Sequence, residues 1–312
     1  MKLSVVTTLF RSEATVAAFV ERAAATAEAI TPDYEIIMVD DGSPDGSLSI
    51  ATSLARDNPK LTVVELSRNF GHHNALMTGL AHAKGEYCFL IDSDLEEAPE
   101  LLGRFWELMH AEERDVVYGL QQRRSGNLVK RVAGAAAYKV FDALLSVRIP
   151  TNHLTVRLMR RTYVDALLLH RETQLVIGGL WVIAGFRQHG VFVDKLDKGQ
   201  TSYSLRRRWN ILLNSVTNFS AAPLIAIFYV GLILSFVSIV FGTFLLIRWM
   251  VGGVAVAGWV SVMLSVWLLG GLGILFMGII GIYLSKVFLE TKNRPLAIVR
   301  KVHGQIDVES RR

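Results

Sequence analysis

The sequence predicts an α/β protein with a doubly wound, mostly parallel sheet in its N-terminal part, followed by interfacial helices and two transmembrane helices. Three observations predict this class. Short apolar runs alternate with helical segments over residues 1 to about 120. The chain is 51% hydrophobic, which is too apolar for an ordinary soluble protein. From Trp209 to Ser285 the only charged side chain is Arg248, so the apolar excess lies in the C-terminal third.

The N-terminal part is predicted to contain five strands and four helices in alternation. The strands are Leu3–Thr8, Glu35–Asp40, Leu61–Leu66, Tyr87–Ile91 and Val116–Tyr118. The helices are Glu13–Ala29 with Ser12 as its N-cap, Ser47–Arg56, His73–Ala83 and, after Pro99, Glu100–Glu112. This alternation is typical of βαβ units, whose ligands bind at the carboxyl ends of the strands.

Two segments with basic and apolar residues at helical spacing precede the apolar third. Residues 127–146 are predicted either to lie on a membrane surface or to pack as an ordinary helix, and the pattern favours neither. Residues 206–222 begin with Arg206, Arg207 and Arg208, which favours an interfacial amphipathic helix there. We therefore expect the chain to meet the lipid surface before it enters the bilayer.

Two transmembrane spans are predicted at Leu224–Ile247 and Trp259–Ser285. Each exceeds the about 20 apolar residues that cross a hydrocarbon core of ~30 Å, and the link Trp249–Gly258 is long enough only for a tight turn. A buried soluble hairpin is disfavoured because both runs are long and almost free of charge. Glycines make the second span small-faced, which permits close contact between the two spans or between protomers of a homo-oligomer.

These features divide the chain into four parts. Residues 1–205 are predicted to be a cytoplasmic catalytic domain, 206–222 an interfacial helix, 223–285 a transmembrane hairpin and 286–312 a basic cytoplasmic tail. Basic residues flank the hairpin on both sides, so the positive-inside rule places both flanks in the cytoplasm. The net charge of +5 arises largely beside the spans, which favours an anionic lipid partner and argues against nucleic acid.

Acidic pairs follow the second and the fourth predicted strands. Asp92 and Asp94 come at the end of an apolar strand, and alternate residues of an extended segment point the same way. Both carboxylates can then reach one Mg²⁺ or Mn²⁺ ion that also binds diphosphate oxygens. An Asp-x-Asp sequence alone also occurs in solvated turns. Asp40 and Asp41 precede a glycine turn, and either is a candidate hydrogen-bond acceptor for a nucleotide base or ribose.

A third motif opens the helix after the third strand. Arg68 to Asn74 lead into a helix N-terminus, which offers backbone N–H groups and positive potential to a phosphate. For His72 and His73 within it, a capping or packing role is favoured over acid–base work. The single cysteine, Cys88, lies in an apolar strand and is predicted to be a core residue.

Together these motifs resemble the family 2 inverting glycosyltransferases, in particular the group that uses polyprenyl phosphates. The resemblance covers almost the whole chain and rests on Val39 to Asp45, Ser67 to Met77, Asp92 to Glu96 with Pro99-Glu100, and the two terminal spans. It implies a GT-A fold and the transfer of a single sugar from a nucleotide sugar to polyprenyl phosphate, such as undecaprenyl phosphate, for cell-envelope glycan modification. It also implies the bacterial inner membrane as the location.

The resemblance also implies roles for particular residues. Asp92 and Asp94 are implied to hold Mg²⁺ or Mn²⁺ and, with Arg124, to act in catalysis. The implied nucleotide-sugar-binding residues are Thr8, Asp40, Asp41, Arg68 and Asp92. The implied lipid-phosphate-binding residues are Arg123, Arg124, Lys130, Arg131, Arg206, Arg207 and Arg208.

The chain departs from the family pattern at three motifs. Thr8 to Glu13 replace a common Pro-x-Tyr-Asn-Glu segment, and Gly199 to Tyr203 lack the lysine of a Gly-x-Ser-Lys-Tyr motif. Thr155 stands where many relatives carry an aspartate that is a candidate base. The motifs therefore leave the sugar, the nucleotide and the base unidentified.

Two other functions are compatible with these motifs. A processive glycan synthase of the same superfamily usually has more spans and a Gln-x-x-Arg-Trp motif, in which Leu205 here replaces the glutamine. A non-catalytic membrane subunit that binds nucleotide is disfavoured by the intact acidic pairs at two strand ends.

Overall fold

The computed structural model describes residues 2–121, 153–172, 177–193, 222–252 and 258–304. These residues fall into two units. The first comprises Met1–Arg131, Val147–Tyr203 and Arg294–Arg312, and the second comprises Val132–Ser146 and Ser204–Asn293. The predicted segments 127–146 and 206–222 lie outside the described residues, except for Ala222.

The first unit is built on a mixed sheet of eight strands. The strands are β1 (Leu3–Leu9), β2 (Tyr34–Asp40), β3 (Leu61–Leu66), β4 (Tyr87–Leu90), β5 (Val116–Gln121), β6 (His153–Arg160), β7 (Gln188–Val193) and β8 (Val299–His303). Their spatial order is β7-β5-β6-β4-β1-β2-β3-β8. The block β4-β1-β2-β3 is parallel, as is the pair of β5 and β7. Strand β6 is antiparallel to β4 and β5, and β8 is antiparallel to β3.

Helices cover both faces of this sheet. They are α1 (Val16–Ile30), α2 (Ser47–Asp57), α3 (His72–His82), α4 (Leu101–Ala111), α5 (Arg161–Leu168) and α6 (Ile177–Ile183). Alternate residues of β1 point to opposite faces. Val5 therefore packs in a core with α1, α2 and α4, whereas Val6 packs in a second core with α3, α5 and α6. This arrangement confirms the predicted doubly wound α/β class.

All five predicted strands and four predicted helices are present, with ends that differ by up to three residues. Ser12 is not the N-cap of the first helix, as predicted, because α1 begins at Val16 after Thr15. Strands β6, β7 and β8 had no counterpart in the sequence-based prediction. The last of these lies within the segment 286–312 and pairs with β3.

The second unit contains two long helices, α7 (Ala222–Gly252) and α8 (Trp259–Thr291). Within them, Pro223–Phe241 and Ser265–Thr291 are long and apolar enough to cross a membrane, with mean hydropathies of 2.7 and 2.1. None of the described side chains in these two stretches is buried inside the protein. Exposed apolar surface of this extent indicates contact with lipid, so the helices are consistent with membrane association.

Candidate active site

The polar residues predicted at the strand ends lie at one edge of the sheet. Strand β1 pairs with β2 on one side and β4 on the other, so Thr8, Asp40 and the residues that follow β4 meet at the same carboxyl edge. The N-terminus of α3 lies there too, because the Thr8 hydroxyl and the His72 ring nitrogen Nδ1 are 3.1 Å apart.

Asp41 fixes the loop that leads into α3. Its two carboxylate oxygens accept hydrogen bonds from the backbone N–H groups of Phe70 (2.7 Å) and Gly71 (3.0 Å). The neighbouring Gly42 has a φ of +65°, and a Cβ there would lie 2.7 Å from the backbone nitrogen of Asn69. The turn after β2 and the loop after β3 are therefore held in close contact, which only glycine at position 42 permits.

Asp40 has a different environment. It is 1% exposed, its Oδ1 has no hydrogen-bond partner among the described residues, and its Oδ2 accepts a long bond (3.4 Å) from the Ser43 N–H. Burial raises the pKa of the Asp40 carboxyl. A buried acceptor without a donor is costly in a native protein, so Asp40 is a candidate to accept a hydrogen bond from a ligand.

His72 connects the ends of β1 and β4. Its Nε2 lies 3.5 Å from Asp92 Oδ1, while its Nδ1 faces Thr8. Burial lowers the pKa of His72, although the nearby Asp41 and Asp94 oppose this effect, so the ring is neutral at pH 7. Of the two predicted roles, capping and packing, the structure does not show capping, because α3 has Gly71 at its N-cap and no side-chain cap bond. The contacts with Thr8 and Asp92 fit the packing alternative. Sequence reasoning did not assign His72 to the site.

Two serines hold the acidic turn after β4 against β1. The Ser93 hydroxyl donates to the Thr8 carbonyl (2.8 Å) and lies 3.0 Å from the Ser12 hydroxyl. The Ser12 N–H in turn donates to the Ser47 hydroxyl (2.8 Å). Sequence reasoning missed these serines as supports of the site. Their only signal was position, since Ser93 stands between two aspartates and Ser12 just after β1.

The turn that carries Asp94 is strained. Asp94 Oδ1 accepts the Glu96 N–H (2.9 Å), and Leu95 between them has a φ of +60°, which is unusual for leucine. Such strain is concentrated at functional sites.

Within the described ranges, no three His, Cys, Asp or Glu side chains form a group that could hold a metal. Two carboxylates, from Asp92 and Asp94, fit the needs of Mg²⁺ or Mn²⁺ when diphosphate and water oxygens supply the other ligands.

The predicted basic residues are described only in part. The Arg68 guanidinium lies 4.1 Å from the centre of the Phe70 ring and donates to the Asn69 carbonyl, so it belongs to the loop bound by Asp41. The other predicted basic residues lie outside the described part of the chain; they are Arg123, Arg124, Lys130, Arg131, Arg206, Arg207 and Arg208. Thr155 lies in β6, where its carbonyl accepts a hydrogen bond from Arg157.

Comparison with known proteins gives a consistent set of relatives. A protein of Mycobacterium tuberculosis named as a glycosyltransferase is 47% identical, over 97% of this chain and 89% of its own length. The prophage bactoprenol glucosyl transferase homolog of Escherichia coli is 30% identical, over 97% and 99%. A solved mannosyltransferase from Pyrobaculum calidifontis, in complex with GDP-Man and Mn²⁺, aligns at 18% identity with a TM-score of 0.47, over 70% of this chain and 63% of that one.

The sequence model of the family described as glycosyl transferase family 2 matches residues 4–168, which is more than half of the chain. The match covers β1 from Ser4 onward and all of β2 to β6. It also contains the aspartates at the carboxyl edge of the sheet, which are Asp40, Asp41, Asp92 and Asp94. The protein is therefore a glycosyltransferase and a member of glycosyl transferase family 2.

Proposed function

We propose that the enzyme transfers one sugar, with inversion, from a nucleotide sugar to a polyprenyl phosphate such as undecaprenyl phosphate. The observation that carries this proposal is the acidic edge formed by Asp40, Asp41, Asp92 and Asp94 in a chain that also has two candidate membrane spans. The full-length similarity to bactoprenol glucosyl transferases supports the choice of acceptor.

The reaction is a single displacement at the anomeric carbon. An oxygen of the acceptor phosphate attacks that carbon from the face opposite the nucleotide. The bond from the anomeric carbon to the diphosphate breaks, and the nucleoside diphosphate leaves with the electron pair. The product is a sugar phosphate diester with inverted anomeric configuration.

The aspartates of the acidic edge and the predicted basic residues supply binding and charge for this step. Asp40 accepts a hydrogen bond from the base or ribose, and Asp92 and Asp94 face the diphosphate. When Mg²⁺ or Mn²⁺ is bound by these two carboxylates, it neutralises charge on the leaving diphosphate. Arg124 assists in catalysis. The acceptor phosphate is held by Arg123, Arg124, Lys130 and Arg131, and by the run Arg206 to Arg208 next to the first span.

Thr155 is compatible with this chemistry. An alcohol acceptor would need a base to remove its proton during attack. The second pKa of a phosphomonoester is about 6, so a phosphate acceptor is mostly dianionic at neutral pH. It is already a nucleophile, and the enzyme needs to supply position and charge balance only.

The proposed location is the bacterial inner membrane, with the catalytic unit and both termini in the cytoplasm. The basic flanks of both spans support this orientation through the positive-inside rule. In the cytoplasm the catalytic unit would have access to nucleotide sugars, and the spans would keep it beside its lipid acceptor.

A radiolabelled transfer assay tests the proposal. Membranes that contain the enzyme are incubated with a panel of labelled nucleotide sugars and undecaprenyl phosphate, and lipid extracts are examined for one labelled product with one sugar. The matched control uses undecaprenol, which lacks the phosphate. A labelled polymer would instead indicate a processive synthase. Preference for undecaprenol, or retained anomeric configuration in the product, would overturn the mechanism.

A further inference from the structure

A second concave site lies in the first unit, and none of its lining residues is an aspartate. An open cavity of about 300 Å³ is lined by residues of β5, β6, α6 and the start of β7. Its polar and aromatic lining comprises Tyr118, His153, Arg157, Trp181, Phe186 and Gln188. The site described above makes no use of these residues.

Arg157 places a buried positive charge in the wall of this cavity. The residue is 1% exposed, and its guanidinium donates to the backbone carbonyls of Leu154 and Thr155, both at 3.2 Å. No carboxylate forms an ion pair with it in the part of the chain that the structure describes. Burial lowers the pKa of Arg157 to about 9, so the group stays charged at pH 7. A buried cation without a counter-charge is costly, which favours an anion from outside the chain.

Trp181 adds an unused donor next to this charge. The Arg157 guanidinium lies 3.0 Å from the centre of the Trp181 ring. The indole is 5% exposed, and its Nε1 has no hydrogen-bond partner among the described residues. Buried indole N–H groups normally find an acceptor. The wall of the cavity therefore contains two donor groups, the Arg157 guanidinium and the Trp181 indole N–H.

The position of Arg157 relates the cavity to the proposed reaction. In the sheet, Arg157 is paired in register with Leu90 of β4 on one side and Tyr118 of β5 on the other. Directly paired residues project to the same face of a sheet. Leu90 is two residues before Asp92 in the chain. A ligand that contacts Arg157 would thus touch β6, which is the neighbour of β4 in the sheet, and β4 leads into the acidic turn.

From these observations we propose that the cavity binds the phosphate group of a phosphate monoester, with Arg157 and Trp181 as its donors. This inference rests on the proposed function, in which the acceptor is such a monoester, and it adds Arg157 and Trp181 to the basic residues already proposed to hold the acceptor phosphate. A neutral sugar hydroxyl would leave the charge of Arg157 unmatched, whereas phosphate oxygens match both its charge and its planar donors. The volume exceeds that of a phosphate group, and the rings of Tyr118 and Phe186 offer apolar contact to the first carbons of a prenyl chain.

Binding to the full-length protein in detergent, without nucleotide sugar, tests the inference. Titration calorimetry measures the affinity for geranyl phosphate, inorganic phosphate and geraniol. Trp181→Phe keeps an aromatic ring but removes the N–H, so it should weaken phosphate binding about tenfold, the size expected for one hydrogen bond to a charged group. The matched control is Trp106→Phe on α4, which lies between Tyr87 and His110 on the other face and should bind as the wild type does. Because Arg157→Gln has the additional risk of unfolding, Trp181→Phe decides the outcome.

Comparison of the three ligands distinguishes a lipid headgroup from free phosphate as the natural ligand. Tighter binding of geranyl phosphate than of inorganic phosphate, with both weakened by Trp181→Phe, supports a lipid headgroup as the ligand. Equal affinities that are both weakened support a free phosphate. No binding, equal binding of geraniol and geranyl phosphate, or no effect of Trp181→Phe would overturn the inference. Since the titration contains no sugar donor, its outcome is independent of whether the transfer assay succeeds.

Discussion

Asp40 and Asp41 are adjacent in sequence, both are almost fully buried, and they have opposite surroundings. Asp41 accepts two short hydrogen bonds from backbone N–H groups, so its carboxylate is part of the loop structure. Asp40 has an oxygen without a donor among the described residues. Stability should therefore depend on Asp41, and ligand binding on Asp40.

We expect Asp40→Asn to raise the midpoint of thermal unfolding at pH 7 by a few degrees and to weaken nucleotide-sugar binding. Burial raises the pKa of Asp40, so the folded protein holds this proton more tightly than the unfolded chain does. The ionised group then destabilises the fold above its unfolded pKa of about 4. The gain should vanish as the pH falls below that value, which thermal unfolding at pH 7 and at acid pH checks.

Asp41→Asn is the comparison. An amide has one acceptor oxygen, so one of the Phe70 and Gly71 N–H groups would lose its partner, at a cost of about 1–3 kcal/mol. That cost should exceed any benefit from removing the charge, and the variant should unfold at a lower temperature than the wild type. Equal unfolding midpoints for Asp40→Asn and Asp41→Asn would contradict the view that the hydrogen bonds of Asp41 make it the more important residue for stability.

Asp92→Asn and Asp94→Asn should each lower the rate of transfer by roughly 10²–10³-fold and leave the protein folded, because each removes charge that acts on the leaving diphosphate. Circular dichroism checks the fold, and labelled lipid measures the rate. Asp165→Asn is the control, since it breaks only an exposed pair with Arg161. Full activity of both variants in the presence of a chelator would rule out the metal assignment.

The placement of the acidic residues at the carboxyl edge of the sheet followed from the sequence, because a strand that ends in carboxylates is a local pattern. The contacts around them did not follow. His72 reaches Asp92 across 20 residues of chain, and Ser93 reaches the Thr8 carbonyl across 85. Arg157 was harder still, because a charged residue in an alternating strand is usually predicted to face solvent.

At the scale of elements, β8 shows how a polar segment completes the sheet. Its Arg300 and His303 both bind Glu65 of β3, at 3.2 and 3.0 Å. The pKa of Glu65 is lowered, mainly by the hydrogen bond with His303. Ionised Glu65 therefore stabilises the fold above its unfolded pKa, and that stabilisation is lost as the pH falls through the lower folded value.

Glu65→Gln should thus lower the unfolding midpoint at pH 7, and the difference from the wild type should shrink as the pH is lowered to 3. Glu28→Gln is the matched control, because Glu28 binds Lys60 at an exposed site where solvent screens the pair. The control should shift the midpoint less, and its effect should shrink in high salt. A loss at pH 3 as large as at pH 7 would contradict the role given to the charge.

The predicted elements were those with a strong local signal. Strands β1 to β4 are apolar and are separated by amphipathic helices, which makes the parallel block readable from the sequence. Strand β8 has the sequence Val-Arg-Lys-Val-His and is largely exposed, so nothing in its composition indicates a strand. Strand β8 forms by pairing with β3, which is distant in the chain. The intrinsic strand propensity of a segment contains no information about such a partner.

At the scale of the whole molecule, orientation in the membrane can be measured with the chain's single cysteine as an aid. Cys88 is buried in β4, and burial raises the pKa of its thiol to about 12, so it should not react with maleimides. We expect Ala255→Cys, in the predicted link between the spans, to be labelled by an impermeant maleimide in intact spheroplasts. Ser53→Cys, exposed on α2, should be labelled only after permeabilisation. The reverse pattern would invert the proposed orientation.

The pairing of β8 with β3 also sets an order of events during synthesis. Glu65 and Arg300, which bind each other, are 235 residues apart, and both candidate spans are translated between them. The outer edge of β3 therefore stays open on the ribosome until the spans have emerged, and an open edge is a template for pairing with other chains. A nascent chain that stalls before residue 299 would carry every aspartate of the site and still expose this edge. The sheet of the catalytic unit can therefore be completed only after both candidate spans have been synthesised.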